Sequence, residues 1–364
     1  MEILPTVGTL LMLLAVGSSL LLCFTKLPAG EPLARHVTMA AQIAPMIFLT
    51  TAFVFDLEAL DLVSRYGGAD LPLLYRVSAV WGGRAGPLLL WSALMGVVTW
   101  FMSGRNASNS SEVRLMHGMT AAILLVAWIL SPFAASSGWG GTLNPLLQTD
   151  LMVIHPPVVF AYYSLCLAVA SVAVAGLIDG RDARSVHEAQ LHWARAGFLL
   201  GAVGIGLGGL WAYTVLDWGG YWAWDPVETA SLLPWLCLLL LLHLRVTPGG
   251  KNSGFVLPLA ILPGWFSIHA TMVTRANGVW ASVHAFVSED IGSQSDSAIL
   301  RIIDLQNTGV SGTEVITYLI SLVAILAITV AVMVSRQARI GGGENLQFAS
   351  RFSLWMILLL PLSW

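Results

Sequence analysis

The chain has 364 residues, of which 57% are hydrophobic and only 10% charged. An ordinary soluble protein carries about 25% charged residues, so this composition excludes a soluble enzyme and indicates a membrane protein. The formal net charge of -3 gives no basic excess with which to hold nucleic acid and says little else about partners.

Nine apolar runs come near the roughly 20 residues that a bilayer core requires. They lie at 7–25, 37–55, 87–104, 118–135, 156–177, 194–216, 229–246, 255–274 and 316–335. A tenth opens near Phe352 and reaches only Trp364. The expected fold is therefore all-α, a polytopic transmembrane helix bundle of about nine to ten spans. Its last helix is either cut short or completed by another chain. Residues 1–60 form the expected N-terminal helices, 61–315 a membrane core, and 316–364 the C-terminal helices. The opening residues MEILPT carry no positive side chain, and the run behind them is long enough to span. It reads as a first helix rather than a cleaved signal.

Lys and Arg set the orientation. Alternate loops place twelve of them on one side, including Lys26, Arg35, Arg105, Arg181 and Lys251, against five on the other, Arg65, Arg76, Arg84, Arg275 and Arg301. The basic side is expected to be cytoplasmic. The N-terminus and the loops after every second helix then face outward.

The outward loops carry the chemistry-bearing signals. The first includes YRVSAVWGGRAGPLLLW, a Gly-rich turn at a helix start that contains Trp81 and Gly82. The second reads LNPLLQTDLMVIHPP over residues 143–157. A residue before proline avoids the helical region, so Pro156 is expected to open the fifth span with His155 held at its outer rim.

The third outward loop, LDWGGYWAWDPVETASLLP over residues 216–234, dominates the sequence. Trp218, Trp222 and Trp224 crowd one polar break, with Gly219, Gly220 and Tyr221 between them. Asp225, Pro226 and Glu228 spell a helix start, with Asp at the N-cap, Pro in the first turn and Glu three residues on. An ordered aromatic loop docked on a helix end offers a flat apolar surface suited to a planar macrocycle. The plainer reading is an interfacial aromatic belt. The fourth outward loop reads GVWASVHAF and holds His284.

Other signals are weaker. Gly204, Gly206 and Gly209 spell G-x-G-x-x-G inside a spanning run; without a preceding strand this is no nucleotide site, and Gly204 with Gly208 makes a small-residue packing face. Cys23, Cys166 and Cys237 lie within apolar runs and form no C-x-x-C, so they read as packing residues. His36, His117, His187 and His192 fall near the basic side and read as solvated. His243 stands fifteen residues beyond Glu228, about 22 Å deeper in a helix. An ionisable group within a span is a functional candidate. His269 reads as packing or cavity-lining.

The stretch WGGYWAWDPVE resembles the tryptophan-rich WWD signature of the haem-handling membrane proteins of cytochrome c maturation, whose branches are CcmF, CcmC and CcsA. The order of the WGG segment, LNPLLQ…HPP, the tryptophan loop, LLLLH and SVHAF is that of CcmF. The resemblance implies a haem b on a platform made by Trp218, Gly219, Gly220, Tyr221, Trp222, Trp224 and Asp225. It implies His155 and His284 as axial ligands of that haem, and His243 as a ligand of a second, intramembrane haem b. It further implies a haem lyase (synthetase) component of the inner membrane, working with the haem chaperone CcmE, with CcmH and CcmI delivering apocytochrome c, and with a second chain completing the bundle. No side chain is assigned as a catalytic nucleophile, because the substrate cysteines are the nucleophiles. Two departures stand out. Arg84 and Ala85 replace a His–Glu pair, and Arg275 is shifted by one place from the family's Arg. The rival readings are a haem exporter or chaperone-loading protein of the CcmC or CcsA kind, and a non-catalytic structural subunit. An ion-translocating channel would want more ionisable groups in mid-span than His243 and His269.

Overall fold

A computed structural model describes residues 3–25, 32–105, 110–138, 140–215, 220–246 and 253–275. In chain order the helices are α1 (Ile3–Phe24), α2 (Pro32–Val54), α3 (Asp61–Tyr66), α4 (Leu73–Ala79), α5 (Ala85–Arg105), α6 (Ser111–Ile129), α7 (Asp150–Asp179), α8 (Ala183–Thr214), α9 (Pro226–His243) and α10 (Ser253–Arg275). A single 3-10 turn, Pro145–Leu147, precedes α7. The fold is an all-helical, multi-pass membrane bundle. Among the described residues seven helices, α1, α2 and α5 to α9, are long and apolar enough to cross a membrane, and α10 contributes a shorter apolar stretch, Leu259–Thr274. The ninth and tenth apolar runs, at 316–335 and from Phe352, lie outside the described residues.

The helix ends follow local chemistry. Ser110 caps α6 by accepting from the Val113 backbone N–H at 3.4 Å, and Glu112 in the first turn complements the positive helix end. The fourth span therefore begins at Ser111 and ends at Ile129, several residues earlier than its apolar run suggests. Beyond it Ser131 adopts a left-handed φ of 47° and Pro132 follows. Gly180, with φ of 70°, ends α7 in the left-handed conformation that glycine takes without strain, and Arg181 N–H closes onto Gly176 O at 2.9 Å. Asp182 then starts α8, accepting from the Arg184 and Ser185 backbone N–H groups at 3.0 and 3.1 Å. The Ser185 bonds hold its carboxyl below the usual carboxylate range.

The described residues fall into two compact units. The first draws on Met1–Ser164 and Leu200–Ala223, the second on Leu165–Leu199 and Trp224 onward. In the first unit α1 packs on α2 and α6, and α5 on α2 and α6. Its core includes Met12, Leu49, Phe53, Trp91, Met95 and Met116. Leu10, Leu13, Leu14 and Leu21 remain exposed on α1, as suits a helix whose outer face meets lipid. Gln42 donates from Nε2 to Ser19 Oγ at 2.8 Å and pairs with His117 Nδ1 at 3.2 Å. His117 is thus buried and ties α2 to α6 instead of being solvated.

In the second unit α9 packs on α10. Glycine lets helices approach: a Cβ on Gly264 would lie 2.7 Å from Ala170 Cβ. Trp235 stacks on Phe198 with centroids 4.7 Å apart and donates to Phe198 O at 3.0 Å. Cys166 and Cys237 are buried. His187 is buried as well, against the expectation from its basic neighbourhood. It shares an α8 face with buried Gln190, so this part of α8 turns inward.

Candidate functional site

The first unit assembles three of the motif-bearing segments. In the LNPLLQ segment Asn144 Oδ1 accepts from Leu146 N–H at 3.0 Å, Pro145 opens the 3-10 turn, and Gln148 Nε2 donates back to Leu143 O at 2.9 Å. The turn braces itself, and Leu143 and Leu147 are driven inward. Gly82 lies against it: a Cβ there would stand 2.8 Å from Leu143 Cδ1. Arg76 fastens the preceding loop by donating to three carbonyls, Leu71 O at 2.9 Å, Val54 O at 3.1 Å, and Ala69 O.

His155 sits differently from the sequence expectation. α7 begins at Asp150 and runs through Pro156 and Pro157, so His155 lies within the helix and not at its entry. Thr149 Oγ1 accepts from Met152 N–H at 3.2 Å and starts the helix. Pro156 has no N–H to give the Met152 carbonyl four residues back. Trp81 Nε1 donates to that carbonyl at 2.7 Å from a buried position. That carbonyl is thereby satisfied, and α7 continues through both prolines despite the local steric bias against helix before proline.

The half-buried His155 ring leans on α8. Its Nδ1 lies 2.9 Å from Gly204 O. A carbonyl only accepts, so Nδ1 is the donor in this contact, and in the neutral form of the ring the lone pair lies on Nε2. Gly208 makes the approach possible, since a Cβ there would lie 2.8 Å from His155 Cε1. Trp211 adds a tilted ring contact, with centroids 6.0 Å apart. One residue beyond Gly208, a Cβ on Gly209 would stand 2.9 Å from Tyr221 O. At Tyr221 the tryptophan loop thus seats its backbone on α8, the helix against which the His155 ring leans. Tyr221 stacks on Tyr213 with centroids 4.3 Å apart and planes 5° apart, both rings exposed. Trp222 is half-buried.

The rest of the loop belongs to the second unit. Trp224 is 71% exposed and holds a left-handed φ of 56°, which a bulky residue rarely adopts. Directly after it the capping box is formed: Asp225 Oδ1 accepts from Val227 N–H at 2.8 Å, and Glu228 Oε2 accepts from Asp225 N–H at 3.2 Å. Both carboxylates are buried. His243 is the last residue of α9, exposed, with Nδ1 2.8 Å from Leu239 O. His269 is buried and parallel to Trp265 at 5.9 Å. Trp218, Gly219 and His284 lie outside the described residues, as does the side chain of Arg275. Sequence reasoning missed the Trp81, Gly208 and Gly209 contacts. The Pro156 gap in the helix ladder was the one local signal that a donor such as Trp81 would be needed.

Residues 81–276 match the family model described as Cytochrome C assembly protein. The chain is 30% identical over 309 residues to the cytochrome c-type biogenesis protein NrfE of Haemophilus influenzae, an alignment covering 79% of this chain and 48% of that one. It is 32% identical over 307 residues to the cytochrome c-type biogenesis protein CcmF of Escherichia coli K12, covering 78% and 47%. It is 35% identical over 257 residues to the CcmF of Pseudomonas aeruginosa, covering 66% and 38%. The chain thus spans about half the length, or less, of these curated relatives. A solved cytochrome c haem lyase CcmF shares the fold with a TM-score of 0.59 at 20% identity, over 99% of this chain and 60% of that one. Since the family match runs over more than half of its residues, the chain belongs to the Cytochrome C assembly protein family and is of the CcmF/NrfE type.

Proposed function

We propose that this chain binds haem at the outer face of the plasma membrane and positions it for attachment to apocytochrome c. The observation that carries this reading is His155. Its Nδ1–H is committed to Gly204 O at 2.9 Å, the arrangement that orients a metal-binding imidazole and leaves Nε2 as the donor atom. The exposed Tyr213–Tyr221 stack suits the apolar body of a planar macrocycle. On this reading Trp218, Gly219, Gly220, Tyr221, Trp222 and Trp224 form the platform, Asp225 shapes it by capping α9, and His284 supplies the second axial ligand.

The chain's contribution is placement. His155 and His284 hold the iron, the aromatic loop holds the ring, and the surrounding apolar residues limit water. Haem as substrate supplies two vinyl groups. Each substrate cysteine S–H adds across one C=C bond, forming an S–C and a C–H bond with no leaving group. Such a step is accelerated by holding the partners together rather than by a side-chain acid–base pair. The imbalance of the basic loops, twelve Lys and Arg against five, supports an orientation with the platform outside the cytoplasm. CcmE as haem donor, CcmH and CcmI as apocytochrome carriers, and a second chain completing the bundle are the proposed partners. His243 carries a second site on the same logic: its Nδ1 is committed to Leu239 O, so Nε2 is the donor for an intramembrane haem b.

The test is haem content together with cytochrome yield. The purified protein should carry b-type haem, and a strain lacking it should lose c-type cytochromes. A haem-free protein and an undiminished cytochrome yield contradict the reading and favour a purely structural subunit.

A further inference from the structure

We infer that Trp81 is a positioning residue for His155, acting through the Met152 carbonyl. The inference rests on the ligand role of His155 proposed above. Pro156 removes the N–H that would bond Met152 O, directly after His155 in the chain. An unbonded carbonyl in a buried turn would let the helix bend there. Trp81 Nε1 fills the gap at 2.7 Å, and the indole is buried. Gly82, the next residue, packs on Leu143, so the donor is anchored to the turn that leads into α7. The ring of His155 is then fixed from two directions: its helix by Trp81, its Nδ1 by Gly204 O.

The test uses the full chain and a two-by-two set of variants. Trp81→Phe keeps the ring but loses the donor. Pro156→Ala restores a backbone N–H that closes the bond to Met152 O within the helix. In the parent, Trp81→Phe should lower retained haem about tenfold, as removal of outer-sphere support does, and shift the visible spectrum and midpoint potential. In the Pro156→Ala background the same change should alter retained haem by less than about twofold, because the lost partner is replaced. The cavity left by Phe is common to both backgrounds, so the difference between them isolates the hydrogen bond. Equal losses in both backgrounds, or unchanged haem content and potential in Trp81→Phe, would overturn the positioning role alone, provided His155→Ala alters the spectrum. An unchanged spectrum in His155→Ala would overturn the ligand role and this inference with it.

Discussion

Gly206 and Gly208 lie on one helix, α8, in opposite surroundings. A Cβ on Gly208 would stand 2.8 Å from the His155 ring, whereas one on Gly206 meets nothing within 4 Å. Alanine is favoured over glycine in a helix by about 1 kcal/mol, so Gly206→Ala should hold or raise the thermal midpoint and leave haem binding intact. Gly208→Ala must push the ring off Gly204 O, and should shift the visible spectrum and lower haem content. Matching spectra for the two variants would mean that the close approach does not position the ring. This contact was not legible beforehand, because His155 and Gly204 are 49 residues apart and nothing local announces the pairing. What could be read was the small-residue spacing of Gly204 and Gly208, which marked a packing face but not what it packs against.

Helix ends were more legible than helix contents. Asp225, Pro226 and Glu228 announced the start of α9, and the capping box forms as written. Asp225→Asn retains an acceptor of equal capping strength and should leave stability and haem binding near those of the parent. Asp225→Ala should cost about 1 kcal/mol, read as a lower thermal or denaturant midpoint. If Asp225→Asn stays folded yet loses haem, the carboxylate has a role beyond the cap. The entry to α7 was misread for a physical reason. The residue before proline disfavours helix for a local steric reason, which α7 accommodates, and Trp81 supplies from 71 residues away the hydrogen bond that Pro156 cannot give Met152 O. The same lack of long-range information hid the burial of His117 and His187. Charged neighbours in sequence suggested solvent, but Gln42 on α2 meets His117 inside the bundle.

At the scale of the molecule, apolar run length marked the long helices among the described residues, and the basic residues suggest their proposed direction. Both follow from the bilayer and not from any particular contact. Orientation is testable by single cysteines in a cysteine-free background. Gly140→Cys, at an exposed site with open space around it, should react with an impermeant maleimide from the outside. Glu188→Cys, exposed near the start of α8, should react only after the membrane is opened; the reverse pattern would invert the topology. The central claim, that an outward-facing haem is held between His155 and His284, is tested most directly by the visible and electron paramagnetic resonance spectra of purified parent, His155→Ala and His284→Ala proteins. The prediction is a low-spin bis-histidine signal in the parent that is lost or converted to high spin in each variant. An unchanged low-spin signal with full haem content in both variants would contradict it.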